Sequence, residues 1–138
     1  MVEVFIPLRT HSQVHGRKRE HWARRAESVR QDRMLVWVYM RDKAPPALPA
    51  LVTLVRVSPR PLDTDNLRPA LKQVRDEVAK WLGLPQTKRG QADDRDPRVA
   101  WRYQQGPRNA GEHGVLVQAE AGTQAQVDEV NSAEKWRP

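Results

Sequence analysis

Asp63 and Asp65 flank a single threonine in the segment LDTDN, residues 62–66. In an extended chain, carboxylates two residues apart point to opposite faces, so these two converge only where the backbone turns. Turned toward each other they can reach one ion. A hard divalent cation such as Mg²⁺ takes few protein carboxylates and fills its shell with waters and substrate phosphates, and a third acid would complete a phosphodiester-cleaving site. Asp93, Asp94 and Asp96, in the run DDRD, are the candidates for that third acid. The same Asp-x-Asp-Asn pattern also serves plain structure, with Asp65 capping a helix and Asp63 making a turn.

Cations form two further groups. Arg68, Lys72 and Arg75 lie at i, i+4 and i+7, one ridge leading away from the carboxylates, which can follow a phosphate backbone or be a solvated helix face with Lys72 paired to Asp76. Arg17, Lys18, Arg19, Arg24, Arg25 and Arg30 form a denser patch. The chain carries a net charge of +7, and Arg supplies 18 of its 24 cations, the side chain whose planar fork suits phosphate oxygens. Residues 1–60 hold 12 cations against 5 anions, whereas residues 61–138 hold 12 of each. A basic segment in a chain of pI near 10.4 is the electrostatic footprint of nucleic-acid binding, and DNA is the expected partner. An Arg-rich codon bias gives the same excess without a partner.

Other chemistry is excluded. With no cysteine there is no disulfide, thiolate nucleophile or cysteine-ligated zinc, and the sequence contains neither GxxxxGK[ST] nor GxSxG. His11 and His15 are four apart, but their loop setting without a neighbouring acid argues against a metal pair. No run approaches the ~18 apolar residues of a membrane span, and MVEVFIPLRT lacks the basic and apolar regions of a secretory signal. The expectation is one soluble, cytoplasmic domain without a membrane partner.

The elements that must position these residues follow from periodicity. Val2, Val4, Ile6 and Leu8 alternate as in a strand over 2–8. Arg17–Lys43 has no Pro or Gly, and Trp22, Ala26, Val29, Val36 and Met40 fall at helical spacing, with Arg33 breaking the stripe. Its second half, MLVWVYM, also suits a strand. Three prolines make 44–49 a connector, and ALVTLVRV, 50–57, reads as a strand near the sheet centre. Leu67, Leu71, Val74, Val78 and Trp81 form one helical stripe, capped by Asp63, Asp65 and Asn66, with Pro69 in the first turn and Gly83 and Pro85 at the end. A polar loop, 85–96, precedes strands at 98–103 and 114–120. Trp22, Trp37, Trp81 and Trp101 fall on these stripes and strands as core residues. The prediction is an α+β domain over 1–120, a small mixed sheet with helices on one face in the order β-α-β-α-β-β. Residues 121–138 read as a disordered or loosely docked polar tail.

PRPLDTDNLRPALKQVRDEVAKWLGL followed by DDRDPRVAWRY resembles the central signature of the RusA-type Holliday junction resolvases, over roughly residues 50–103. In that family an Asp-x-Asp-Asn-Leu segment opens a helix and an Asp-Asp pair precedes the next strand. The resemblance implies an Mg²⁺-dependent endodeoxyribonuclease cleaving four-way DNA junctions. It places the metal on Asp63, Asp65 and Asp96, three residues before Val99, with Asp94 in reserve. The family's lysine four residues after its second Asp is Pro69 here, so its role in stabilising charge falls to Arg68 or Lys72. A non-catalytic DNA-binding accessory protein on the same fold is the alternative that Pro69 suggests. Two symmetric cuts imply a twofold homodimer, with residues 34–40 expected in its interface and residues 17–30 free for DNA.

Overall fold

The computed structural model describes residues 1–10, 22–86, 96–106 and 112–135. Four strands, β1 (Val2–Ile6), β2 (Ala50–Val57), β3 (Val99–Gln105) and β4 (Gly114–Ala121), form one mixed sheet in the order β1-β4-β2-β3. β4 pairs antiparallel with both β1 and β2, and β2 pairs parallel with β3. The predicted α+β class and the order β-α-β-α-β-β are both present.

The apolar run of β2 fits its interior position between β4 and β3. Val52 and Leu54 are fully buried and face the same side as Val4, Ile6, Val115, Val117, Val99 and Trp101. On this face pack α1 (Trp22–Met40), α2 (Thr64–Ala70) and α3 (Lys72–Trp81). At the start of β4 Gly114 lacks a side chain where the Phe5 ring lies against it.

MLVWVYM is helix, not strand. Val36 and Met40, one turn apart, are buried, while Met34, Trp37, Val38 and Tyr39 are 39–60% exposed. Trp37 is therefore not a core residue; the Arg41 guanidinium stacks on it at 4.9 Å. Trp101 is buried and Trp81 half-buried. Arg33, which interrupts the apolar stripe, ties α1 to α3 instead: its Nε donates to Gln73 Oε1 at 2.9 Å and its Nη2 to the buried Asp76 carboxylate at 3.3 Å. Asp76 thus forms an ion pair with Arg33, whereas the solvated-face alternative paired it with Lys72.

The predicted helix after Asp63 is divided at Leu71 (φ −98°, ψ 5°). Pro69 is the sixth residue of α2 rather than part of its first turn, and it has no N–H for the carbonyl four residues back. The apolar stripe survives the division, with Leu67, Leu71, Val74 and Val78 all buried. Gly83 ends α3 as predicted: at φ 85° it lets Gly83 N donate to Lys80 O (2.9 Å) and Leu84 N to Ala79 O (3.1 Å), which satisfies the last carbonyls.

The tail expected to be disordered or loosely docked is instead helical over Gln124–Lys135, which form α4. Thr123 Oγ1 caps it by accepting from Gln126 N at 3.1 Å, and Gln126 Oε1 accepts from Thr123 N at 2.8 Å. The helix docks on β3. Gln124 Nε2 donates to Pro97 O at 2.7 Å, and Asn131 Nδ2 to Val99 O at 3.4 Å. Val127 is fully buried, as is Ala100, which points away from the Trp101 face, and neither belongs to the main core. So α4 covers β3 from outside that core, and not every helix lies on one face. Among the described residues no helix is long and apolar enough to cross a membrane.

Candidate metal and nucleic-acid site

β2 and β3 run parallel, so the loop leaving β2 and the end of β3 meet at one end of the sheet. Leu62 N donates to Gln105 Oε1 at 2.8 Å and Gln105 Nε2 donates to Leu62 O at 2.7 Å, which fixes the residue before Asp63. Asp63 is the N-cap of α2 through its backbone: Asn66 N and Leu67 N donate to its carbonyl at 2.9 and 3.2 Å, and its side chain makes no cap bond. Asp65 lies in the first turn, where the helix dipole favours negative charge. Both are exposed, and among the described residues neither carboxylate makes a salt bridge or side-chain hydrogen bond. Neither side chain does the capping that would explain it structurally.

Asp96 is elsewhere. It precedes β3 at the Ala50–Val99 end, whereas Asp63 follows β2 at the Val57 end, a separation of about 20 Å along the ladder at ~3.3 Å per residue. Its carboxylate is engaged by Arg98, whose Nη2 donates to Oδ2 at 2.8 Å and whose Nε and backbone N donate to Oδ1 at 3.0 and 2.9 Å. Those hydrogen bonds hold its pKa below the ordinary aspartate value. Asp96 therefore shapes the entry to β3 and does not join Asp63 and Asp65. Among the described residues no three His, Cys, Asp or Glu side chains gather as a metal site. Asp93 and Asp94 lie outside the described residues.

The cations divide as well. Arg75 is buried, and its Nη1 donates to Tyr103 Oη at 3.1 Å, so it does not continue the surface ridge expected from its i+7 spacing. Arg68 is exposed and lies over the Tyr103 ring at 5.5 Å from its centre. Lys72 is half-buried. Arg24, Arg25 and Arg30 are exposed on the first half of α1, while Arg17, Lys18, Arg19, His11 and His15 lie outside the described residues.

Two residues at this end escaped the sequence reading. Arg56 is 6% exposed, and its Nε donates to Thr10 Oγ1 at 2.7 Å and its Nη1 to Arg60 O at 2.8 Å; burial lowers its pKa. It joins the end of β1 to the turn that leads to Asp63. Tyr103 is the second, set between Arg68 and Arg75. The signals were a lone cation at a core-facing position of an apolar strand, and a tyrosine at a core-facing position of β3. The chain matches no family model, and neither the curated proteins nor the solved structures yield a match.

Proposed function

We propose that this chain is an Mg²⁺-dependent endodeoxyribonuclease that cleaves branched DNA, four-way junctions foremost, by hydrolysing phosphodiester bonds. The observation that carries the reading is the head of α2. Asp63 and Asp65 stand open to solvent without ion-pair partners among the described residues, and Arg68 follows one turn later. An oxygen-only donor pair fits a hard cation, and Asp63 and Asp65 would hold it. When bound, such an ion supplies an activated water and offsets charge on the scissile phosphate. Arg68, with Lys72 one turn along, stabilises the charge developing on that phosphate. A third carboxylate, for which Asp93 and Asp94 are the sequence candidates, would complete the ion's protein ligands.

The exposed cations Arg24, Arg25 and Arg30, with Arg17, Lys18 and Arg19, contact the DNA backbone in this reading. A twofold homodimer supplies the two symmetric cuts. It is supported by the exposed apolar side chains Met34, Trp37, Val38 and Tyr39, within the segment 34–40. A bacterial or phage-infected cytoplasm is the compartment such a substrate implies. Incubating a synthetic four-way junction with the protein in Mg²⁺ and in EDTA tests the reading.

One observation favours a second reading, a DNA-binding accessory protein without hydrolysis. Asp96, the one acid of the DDRD run among the described residues, is held by Arg98 at the other end of the sheet. That reading predicts junction or duplex affinity that falls steeply with salt and no product with any divalent ion.

A further inference from the structure

Arg68 sits three residues after Asp65, a spacing at which oppositely charged side chains on a helix ordinarily meet. They do not pair. Among the described residues Arg68 makes no salt bridge; its guanidinium lies over the face of Tyr103. Tyr103 is in turn fixed from below. Its ring packs against the hydrophobic core, and its hydroxyl accepts a hydrogen bond from Nη1 of the buried Arg75 at 3.1 Å.

Three residues from α2, β3 and α3 thus make a stack with one exposed end. A guanidinium lying on a ring keeps its N–H donors, which lie in its plane, for other acceptors. An arginine so held loses less rotamer freedom on meeting a ligand than one waving in solvent. Its planar fork matches two phosphate oxygens. We infer that Arg68 is a preorganised phosphate clamp beside Asp65, and that Tyr103, backed by Arg75, is the positioning residue that orients it toward the nucleic-acid backbone. The inference rests on the nucleic-acid reading above and specifies which backbone contact lies beside the carboxylates.

The test is binding rather than cleavage. The full chain is titrated by fluorescence anisotropy with a labelled four-way junction in EDTA, across a series of NaCl concentrations. Arg68→Ala is expected to weaken binding about tenfold at low salt. It should also reduce the slope of log affinity against log salt by about 0.9, one phosphate contact. Tyr103→Phe, which keeps the ring but loses the acceptor for Arg75, should weaken binding less than the loss of the ring does. Tyr103→Met, of similar volume without a ring, should weaken binding and flatten the slope although Arg68 is still present. In an Arg68→Ala background Tyr103→Met should have no further effect. A merely structural role for Tyr103 would weaken binding equally in both backgrounds. That additive result, or wild-type binding by a Tyr103→Met protein, overturns the inference while the nucleic-acid reading stands. Absence of salt-dependent binding by the wild type overturns both. Should Tyr103→Met not fold, Arg68→Lys decides: the ammonium lacks the planar fork, so affinity falls although the charge is kept, and unchanged affinity overturns the clamp.

Discussion

Gln105, the last residue of β3, and Leu62 exchange two hydrogen bonds, one in each direction between the side-chain amide and the peptide groups, at 2.8 and 2.7 Å. The contact joins positions 43 residues apart and fixes the chain immediately before Asp63. Together with Arg56, which bonds the Arg60 carbonyl, it makes the acid-bearing turn part of the sheet's frame. Gln105→Leu removes both bonds at an exposed position and should cost about 1 kcal/mol of stability. The larger effect is local: amide exchange at Asn66 and Leu67, whose N–H groups bond Asp63 O, should accelerate relative to amides of β2. Unchanged protection at those two amides would contradict the frame.

The Asp96–Arg98 pair makes stability depend on pH. The folded-state pKa of Asp96 is depressed, so its contribution is present above the unfolded-state value near 3.9 and is lost as pH falls through the lower folded value. Asp96→Asn should therefore lower the thermal midpoint by about 4 °C at pH 7. That deficit should shrink below pH 4. A deficit that stays constant down to pH 2 would show that the carboxylate charge is not what stabilises the entry to β3.

Helix α4 belongs to the folded unit. Val127 is fully buried, and Gln124 and Asn131 bond carbonyls at the start of β3. Val127→Ala should cost about 2 kcal/mol in denaturant unfolding, and a chain ending at Gly122 should lose at least as much. A neutral Val127→Ala would mean that α4 contributes no packing.

Much of this architecture is legible in the sequence, for particular reasons. The unbroken run ALVTLVRV marks an interior strand because both faces of β2 are largely covered. Leu67, Leu71, Val74 and Val78 keep their spacing through the division at Leu71 because Leu71 N still donates to Leu67 O and Arg75 N to Leu71 O, which carries the helical turn across it. Helix α4 escaped because its buried contact rests on one valine among small and polar residues. Arg75 and Trp37 exchanged expected places: a guanidinium can be buried where a tyrosine hydroxyl accepts from it, and an indole can stay outside under an arginine. The assignment of Asp96 beside Asp63 and Asp65 overlooked topology. A strand, a helical return and a parallel strand put the end of the first strand and the start of the second at opposite ends of the sheet.

The exposed side chains of Met34, Trp37, Val38 and Tyr39 carry the dimer in the proposed function. Sedimentation at micromolar concentration should show a species of about twice the 15.9 kDa chain mass, and Trp37→Glu, at an exposed position, should return it to the monomer without unfolding. A 15.9 kDa species alone, with and without junction DNA, would contradict the dimer.

The proposed function requires Asp63 and Asp65 to act together on a phosphodiester bond with a divalent cation. It is tested most directly by following the cleavage of a labelled four-way junction in Mg²⁺ by the wild type, Asp63→Asn and Asp65→Asn, with EDTA as control. Product is expected from the wild type only when Mg²⁺ is present, and each variant should lose roughly 100-fold or more in rate, with folding unaffected because both side chains are exposed. Cleavage by Asp65→Asn at the wild-type rate, or no product from a wild-type protein that binds the junction, would contradict it.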